Sequence, residues 1–375
     1  MKRDKRIDIV RGLSMVLIVL GHSGFPKTSY IYLFHVSVFF IIAGWCWKEQ
    51  YSEGSDGLKL FLKRKIHSLY FPYVAWMSGY TLLHNLFIKI NIYSQDELFL
   101  EGEVGNQFGL VFSYDEVDYI KHEIRNILFV GSEPLAGASW FLRILFYVMI
   151  LWTGIDYLLK RNITNIHIVR LVIATFLFAV GNFLRINNIL LPDNISTVFS
   201  VYIFFWFGVY LRKMMDQPKI QSESRTICRI LIIVGCVMFL EMLNHFGNIE
   251  ISMNQYSSGL FLIVCSISGW LLLVEIALLI EKYQISRLFC FIGESTIWIL
   301  FLHFAAFKFI NVLQVYIYHL PVYRIASYPT LITDKGWWII YTIVGVFIPL
   351  LVKQLVKKLR RCVQQFIMNN YVIHL

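Results

Sequence analysis

Charge is scarce in this chain: only 15% of its 375 residues are Asp, Glu, Lys or Arg, where a soluble domain carries about a quarter. With 57% hydrophobic residues and a mean hydropathy of +0.61, the composition excludes a disordered chain and an ordinary water-soluble domain. The 22 Gly and 8 Pro follow no period, which excludes a collagen-like repeat. Cys46, Cys228, Cys236, Cys265, Cys290 and Cys362 contain no Cys-x-x-Cys pair, so they predict small core residues rather than a disulfide framework or metal ligands. Also missing are Gly-x-Ser-x-Gly, His-Glu-x-x-His, a phosphate-loop Gly-x-x-x-x-Gly-Lys and Gly-x-Gly-x-x-Gly. No bound metal, phosphate loop or dinucleotide cofactor is therefore predicted.

What is present is apolar runs of the length that a helix needs to cross a bilayer, about 20 residues. They predict an all-α polytopic membrane bundle of about ten spans, near residues 7–24, 30–47, 69–91, 140–159, 168–185, 196–211, 227–243, 257–280, 289–312 and 336–355. We read 1–375 as a single membrane domain, with the first run a retained helix and not a cleaved signal. Counted on alternate sides of this ten-span arrangement, 24 of the 34 Lys and Arg fall with both termini and 7 on the other side. By the positive-inside rule both termini are cytoplasmic. The net charge of +10 then reflects topology and contact with anionic membrane lipid, and no nucleic-acid partner is predicted.

One far-side connection, 92–139, is long and acidic. Ile120, Ile124, Ile127 and Leu128 recur in it at helical spacing, predicting an amphipathic helix on the membrane surface that serves as a lid or as a plain tether. No internal repeat is visible.

Ionisable residues at membrane depth are functional candidates by default. Arg11 and His22 lie eleven residues apart, which returns a helix to within about 20° of its starting direction some 16 Å further along. They share one face of the first helix, a cation toward one side and a titratable base toward the other, with Asp8 placed to pair with Arg11. Imidazole suits removal of a proton from a hydroxyl near neutral pH; a histidine bonded to a neighbouring helix for packing gives the same pattern. His35 and His303 carry the same two readings. Lys63, Arg64 and Lys65 suit either lipid anchoring or a clamp for nucleotide phosphates. Arg143 either snorkels to headgroups or faces a polar cavity.

The segments RIDIVRGLSMVLIVLGH, FHVSVFFIIAGW, KRKIHSLYFPY, SWFL and IGESTIWILFLH, in this order, resemble the acyltransferase-3 family of integral membrane acyltransferases, and within it the fucose 4-O-acetyltransferase-like branch. The resemblance implies that Arg11 and His22 are the family's essential pair, with His35 a further catalytic residue. It implies acetyl-CoA as acyl donor, held by Arg11 with Lys63, Arg64 and Lys65 preserving the positive charge, and a surface or lipid-linked saccharide acceptor; Trp140 and His303 fall at further recurrent motifs of the family, and we place them with Arg143 as the substrate-binding residues. It places the chain in a bacterial plasma membrane. Two positions depart from the family pattern. Its Arg-x-x-Arg is here Arg64 followed by His67, with Ser68 after Lys65, and its Ser in the Phe-Phe stretch is Ala43. A glycan or lipid transporter or flippase is the alternative from another class.

Overall fold

The computed structural model describes residues 4–95, 111–160, 166–189, 191–215 and 226–372; the portion of the acidic connection at 96–110 lies outside them. The described chain is a helical bundle. Its helices are α1 (Lys5–His22), α2 (Thr28–Tyr32), α3 (His35–Trp45), α4 (Gly54–Lys65), α5 (Phe71–Lys89), α6 (Glu116–Ile127) and α7 (Trp140–Leu159). They continue with α8 (Ile166–Ile186), α9 (Ser196–Met215), α10 (Thr226–Asn244), α11 (Gly259–Ile280), α12 (Ile285–Gly293), α13 (Thr296–Ile317) and α14 (Trp337–Val372). A two-stranded antiparallel hairpin, β1 (Ile249–Glu250) and β2 (Gln255–Tyr256), joins α10 to α11.

Among the described residues, eight helical stretches are long and apolar enough to cross a membrane. The other two expected spans, α1 and α5, are diluted, α1 by Lys5, Arg6, Asp8 and Arg11 and α5 by polar residues such as His84 and Asn85. α1 is nevertheless the centre of the bundle, packed against α3, α11, α12, α13 and α14. Gly12 makes this possible, since a Cβ there would stand 2.0 Å from the Phe289 carbonyl oxygen of α12. The crossing of α3 and α9 is built likewise: a Cβ on Gly44 would meet the Phe205 carbonyl, and one on Gly208 the Ile41 carbonyl, each at 2.0 Å. Such small residues let backbones approach where lipid gives no hydrophobic drive.

We call the end of the bundle at Lys5 the basic face and the opposite end the far face. Two expected spans are interrupted. The second breaks at Leu33–Phe34, where Phe34 leaves helical geometry (φ −147°), so His35 begins a new helix. The ninth breaks at Glu294–Ser295, where Lys353 donates to the Glu294 carbonyl at 3.1 Å and to Ser295 Oγ at 2.7 Å, satisfying polar groups that the break frees. The cysteines are all free, but Cys46, Cys228 and Cys362 are exposed rather than in the core.

On the basic face, Asp156 is buried between Arg170, Ser52 and Lys160. Arg170 Nε donates to it at 2.7 Å and also clasps Glu49, tying α7, α8 and the turn after α3 together. On the far face, α6 lies where the spacing predicts it. Ile120, Ile124, Ile127 and Leu128 are exposed, while Glu123 and Asn126 on the other side bond to Ser78 and Thr81 of α5. This is the reverse of a helix on a water-soluble core, and an interfacial membrane layer would cover the exposed stripe. The segments flanking α6 are fixed from below by His84, whose Nδ1 lies 3.0 Å from Glu133 and whose Nε2 lies 3.1 Å from the Phe112 carbonyl, and by Tyr73, whose hydroxyl donates to the Gly131 carbonyl.

Candidate functional site

One stripe of α1 lines two cavities in succession. Arg11, Met15, Ile18 and His22 follow at steps of four, three and four residues, so all four point the same way. Arg11, Met15 and Ile18 border a cavity of about 190 Å³ toward the basic face. Ile18 and His22 border another of about 610 Å³ toward the far face. The two have three residues in common, Ile18, Phe141 and Leu300. An apolar partition contributed by α1, α7 and α13 therefore separates a compartment with cations from one with imidazoles.

In the basic-side cavity, Arg11 donates to Asp8 Oδ1 and to Cys46 Sγ, both at 3.4 Å. Asp8 is itself buried, so the pair fixes the Arg11 guanidinium in the cavity lining. Lys65, last residue of α4, is the second cation of the lining. Burial pushes its ammonium down to about 8, with the nearby Arg11 and Arg64 adding to the effect against an opposing influence of Cys46. Apart from Cys46 and Thr296 the remaining wall is apolar: Phe39, Ile42, Leu142, Leu145 and Met149 among others. Lys63 and Arg64, expected beside Lys65, do not line it. Lys63 is exposed, and Arg64 donates to the Tyr51 hydroxyl at 3.1 Å.

In the far cavity, hydrogen bonds fix the histidine tautomers. His303 Nδ1 lies 2.8 Å from the Ile299 carbonyl, and a carbonyl only accepts, so that nitrogen carries the proton. In a neutral imidazole Nε2 of His303 is then an acceptor, and its partner at 3.1 Å, His22 Nδ1, must donate to it. His22 is left with an unprotonated Nε2, the form a general base requires. The two rings are near-parallel (13°) with centroids 5.2 Å apart, and Phe304 packs on both. His35 is set in the same manner, its Nδ1 donating to the Ile31 carbonyl at 2.9 Å with Tyr32 stacked on the ring.

His22, His35 and Trp140 thus border one cavity, with His303 one hydrogen bond behind. Arg143 is not among its lining residues. It is buried one turn further along α7, donating to the Asp193 carbonyl at 3.4 Å and paired with its carboxylate at 3.8 Å. The rest of the wall comes from parts not foreseen in the sequence: the 249–253 hairpin, Ser132 and Tyr328–Pro329. Tyr328 is placed by Lys308, whose buried ammonium donates to the carbonyls of Ile325, Ala326 and Ser327 at 3.2, 2.9 and 2.8 Å. Asn311, one turn on, adds two further bonds to the same segment. A lysine within an apolar run was the signal for that clasp.

The family model described as an acyltransferase domain matches residues 4–353. No curated protein and no solved structure matches the chain.

Proposed function

As the chain belongs to the acyltransferase-3 family and is a membrane acyltransferase, we propose that it moves an acetyl group from acetyl-CoA on its basic face to a saccharide hydroxyl in the far cavity. The observation that carries this reading is the pair of cavities meeting end to end at Ile18, Phe141 and Leu300, with Arg11 and Lys65 in one and His22 in the other.

Lys and Arg gather at the basic face, which the positive-inside rule makes cytoplasmic, where coenzyme A thioesters are found. Arg11 and Lys65 receive donor phosphates, and the narrow apolar cavity takes the pantetheine arm toward the partition. The wider far cavity admits a sugar ring. His22 Nε2 takes the proton of the attacking hydroxyl, whose oxygen adds to the thioester carbonyl; collapse expels the coenzyme A thiolate, which leaves toward the basic face. As His22 becomes an imidazolium, its Nδ1–H remains bonded to the His303 lone pair, which stabilises the positive charge and holds the ring in register. Positioning of the two substrates across the partition supplies much of the rate enhancement. The preference for a surface or lipid-linked saccharide, and a bacterial inner membrane, are supported by the resemblance of the motifs to the saccharide-modifying branch.

Mass spectrometry of surface glycans from cells with and without the gene tests this. The expected result is loss of an acetyl mass in the cells without the gene. Saccharide movement across the membrane with no incorporation of labelled acetyl would instead support a flippase.

A further inference from the structure

The far cavity is asymmetric in charge. Among the described residues none of its lining side chains is Lys or Arg, and Glu250 is the one acid. Glu250 closes β1 of the hairpin and is part of the cavity wall. Its Oε1 accepts from the backbone N–H of Ser252 at 3.3 Å and from the Ser252 hydroxyl. Its Oε2 has no hydrogen-bond partner among the described residues. The wall also holds the aromatic residues Tyr32, Trp140, Phe141, Phe304 and Tyr328.

The hairpin that carries Glu250 is pinned rather than loose. Asn194 donates to the Ser252 carbonyl at 2.8 Å, Arg185 to the Tyr256 carbonyl at 2.9 Å, and the Arg185 guanidinium lies 4.6 Å from the centre of the Tyr256 ring. Asn254 makes the turn in left-handed geometry (φ 52°), a conformation Asn tolerates. A carboxylate on such a support has a fixed position, which is what discrimination between ligands requires.

From this, and resting on the acyl-transfer reading above, we propose that the acceptor is acylated on an uncharged sugar residue and that Glu250 is its specificity determinant, accepting hydrogen bonds from ring hydroxyls. A carboxylate with a free oxygen accepts from a pair of neighbouring hydroxyls, while the apolar C–H face of the ring packs on the aromatics. An anionic ring, such as a uronate or a phosphorylated sugar, would find no cation to receive its charge and one fixed anion to repel it. For two unit charges about 6 Å apart at an effective dielectric constant of about 20, that repulsion corresponds to roughly a hundredfold discrimination.

The test uses membranes containing the full chain, isotope-labelled acetyl-CoA and the host's own envelope saccharides, followed by hydrolysis and ion-exchange separation of the labelled sugar. The label is expected on a neutral residue. Glu250→Gln is expected to raise KM for the acceptor at least tenfold with KM for acetyl-CoA unchanged, and Glu250→Asp to retain most acceptor affinity. Label on an anionic sugar, or an unaltered acceptor KM in Glu250→Gln, would overturn the proposal. The donor KM and a melting curve show that each variant is folded. No labelled saccharide with the wild-type chain would instead overturn the acyl-transfer reading beneath it.

Discussion

His303 Nε2 stands 3.1 Å from His22 Nδ1, and its own Nδ1 is engaged by the Ile299 carbonyl. That order of donors and acceptors makes His303 the positioning residue for His22, in the role a carboxylate plays behind the imidazole of a hydrolase triad, without a buried negative charge. His22→Ala is expected to lower kcat by about 10²–10⁴-fold, the range for loss of a general base. His303→Phe, which removes the acceptor, should lower kcat with little change in either KM, and shift the pH dependence of kcat. An unaltered pH profile in His303→Phe would mean that the contact serves packing alone.

Lys65 gives the donor side its own pH dependence. Its ammonium is pushed down to about 8 by burial, so the positive charge is present below that pH and is lost as pH rises through it. KM for acetyl-CoA should therefore climb above about pH 8. Lys65→Arg, charged throughout the range, should flatten the climb, and Lys65→Ala should raise KM by about tenfold or more at pH 7, in keeping with loss of a charge-assisted hydrogen bond. Steady-state kinetics from pH 6 to about 9.5 read all three.

The partition is testable by filling it. Leu300→Trp adds bulk where the two cavities meet, and is expected to reduce transfer by more than about 100-fold through misplacement of the reacting atoms. Binding of labelled coenzyme A to the basic face should survive. Wild-type transfer in this variant would show that the acyl group takes another route.

Lys308→Met keeps the length and apolar stem of the side chain but leaves the Ala326 carbonyl without its donor, while the Ile325 and Ser327 carbonyls each lose one donor and keep Asn311 Nδ2. Unsatisfied buried polar groups cost about 1–3 kcal/mol each. The variant should melt several degrees lower and bind acceptor more weakly, because the segment that presents Tyr328 to the cavity is no longer clasped. Thermal melting in detergent, with acceptor KM, checks both.

Much of the architecture was legible because lipid enforces a simple rule: a span must be long, apolar and helical. The shared face of Arg11 and His22 was legible too, since α1 is regular between them and eleven residues suffice to fix their relative direction. The break before His35 was not legible, because the run from Ile31 to Ile42 stays apolar across it and hydropathy does not register a change in backbone direction. Nor were the partners of Arg143 and Arg64, since Asp193 and Tyr51 are distant in sequence or unremarkable in composition. Glu250 lies in a short polar connection between two spans, where a carboxylate reads as solvated, and only the folding of the hairpin over the bundle brings it to the cavity that holds His22.

The central claim is that acyl donor and acceptor meet from opposite faces at the partition beyond His22. The most direct measurement is transfer in sealed proteoliposomes of known protein orientation, with labelled acetyl-CoA supplied only at the basic face and saccharide acceptor only at the far face. The account predicts labelled saccharide in the far compartment, abolished by His22→Ala and weakened by Lys65→Ala. Product that forms only when both substrates are on the same face, or at an undiminished rate in His22→Ala, would contradict it.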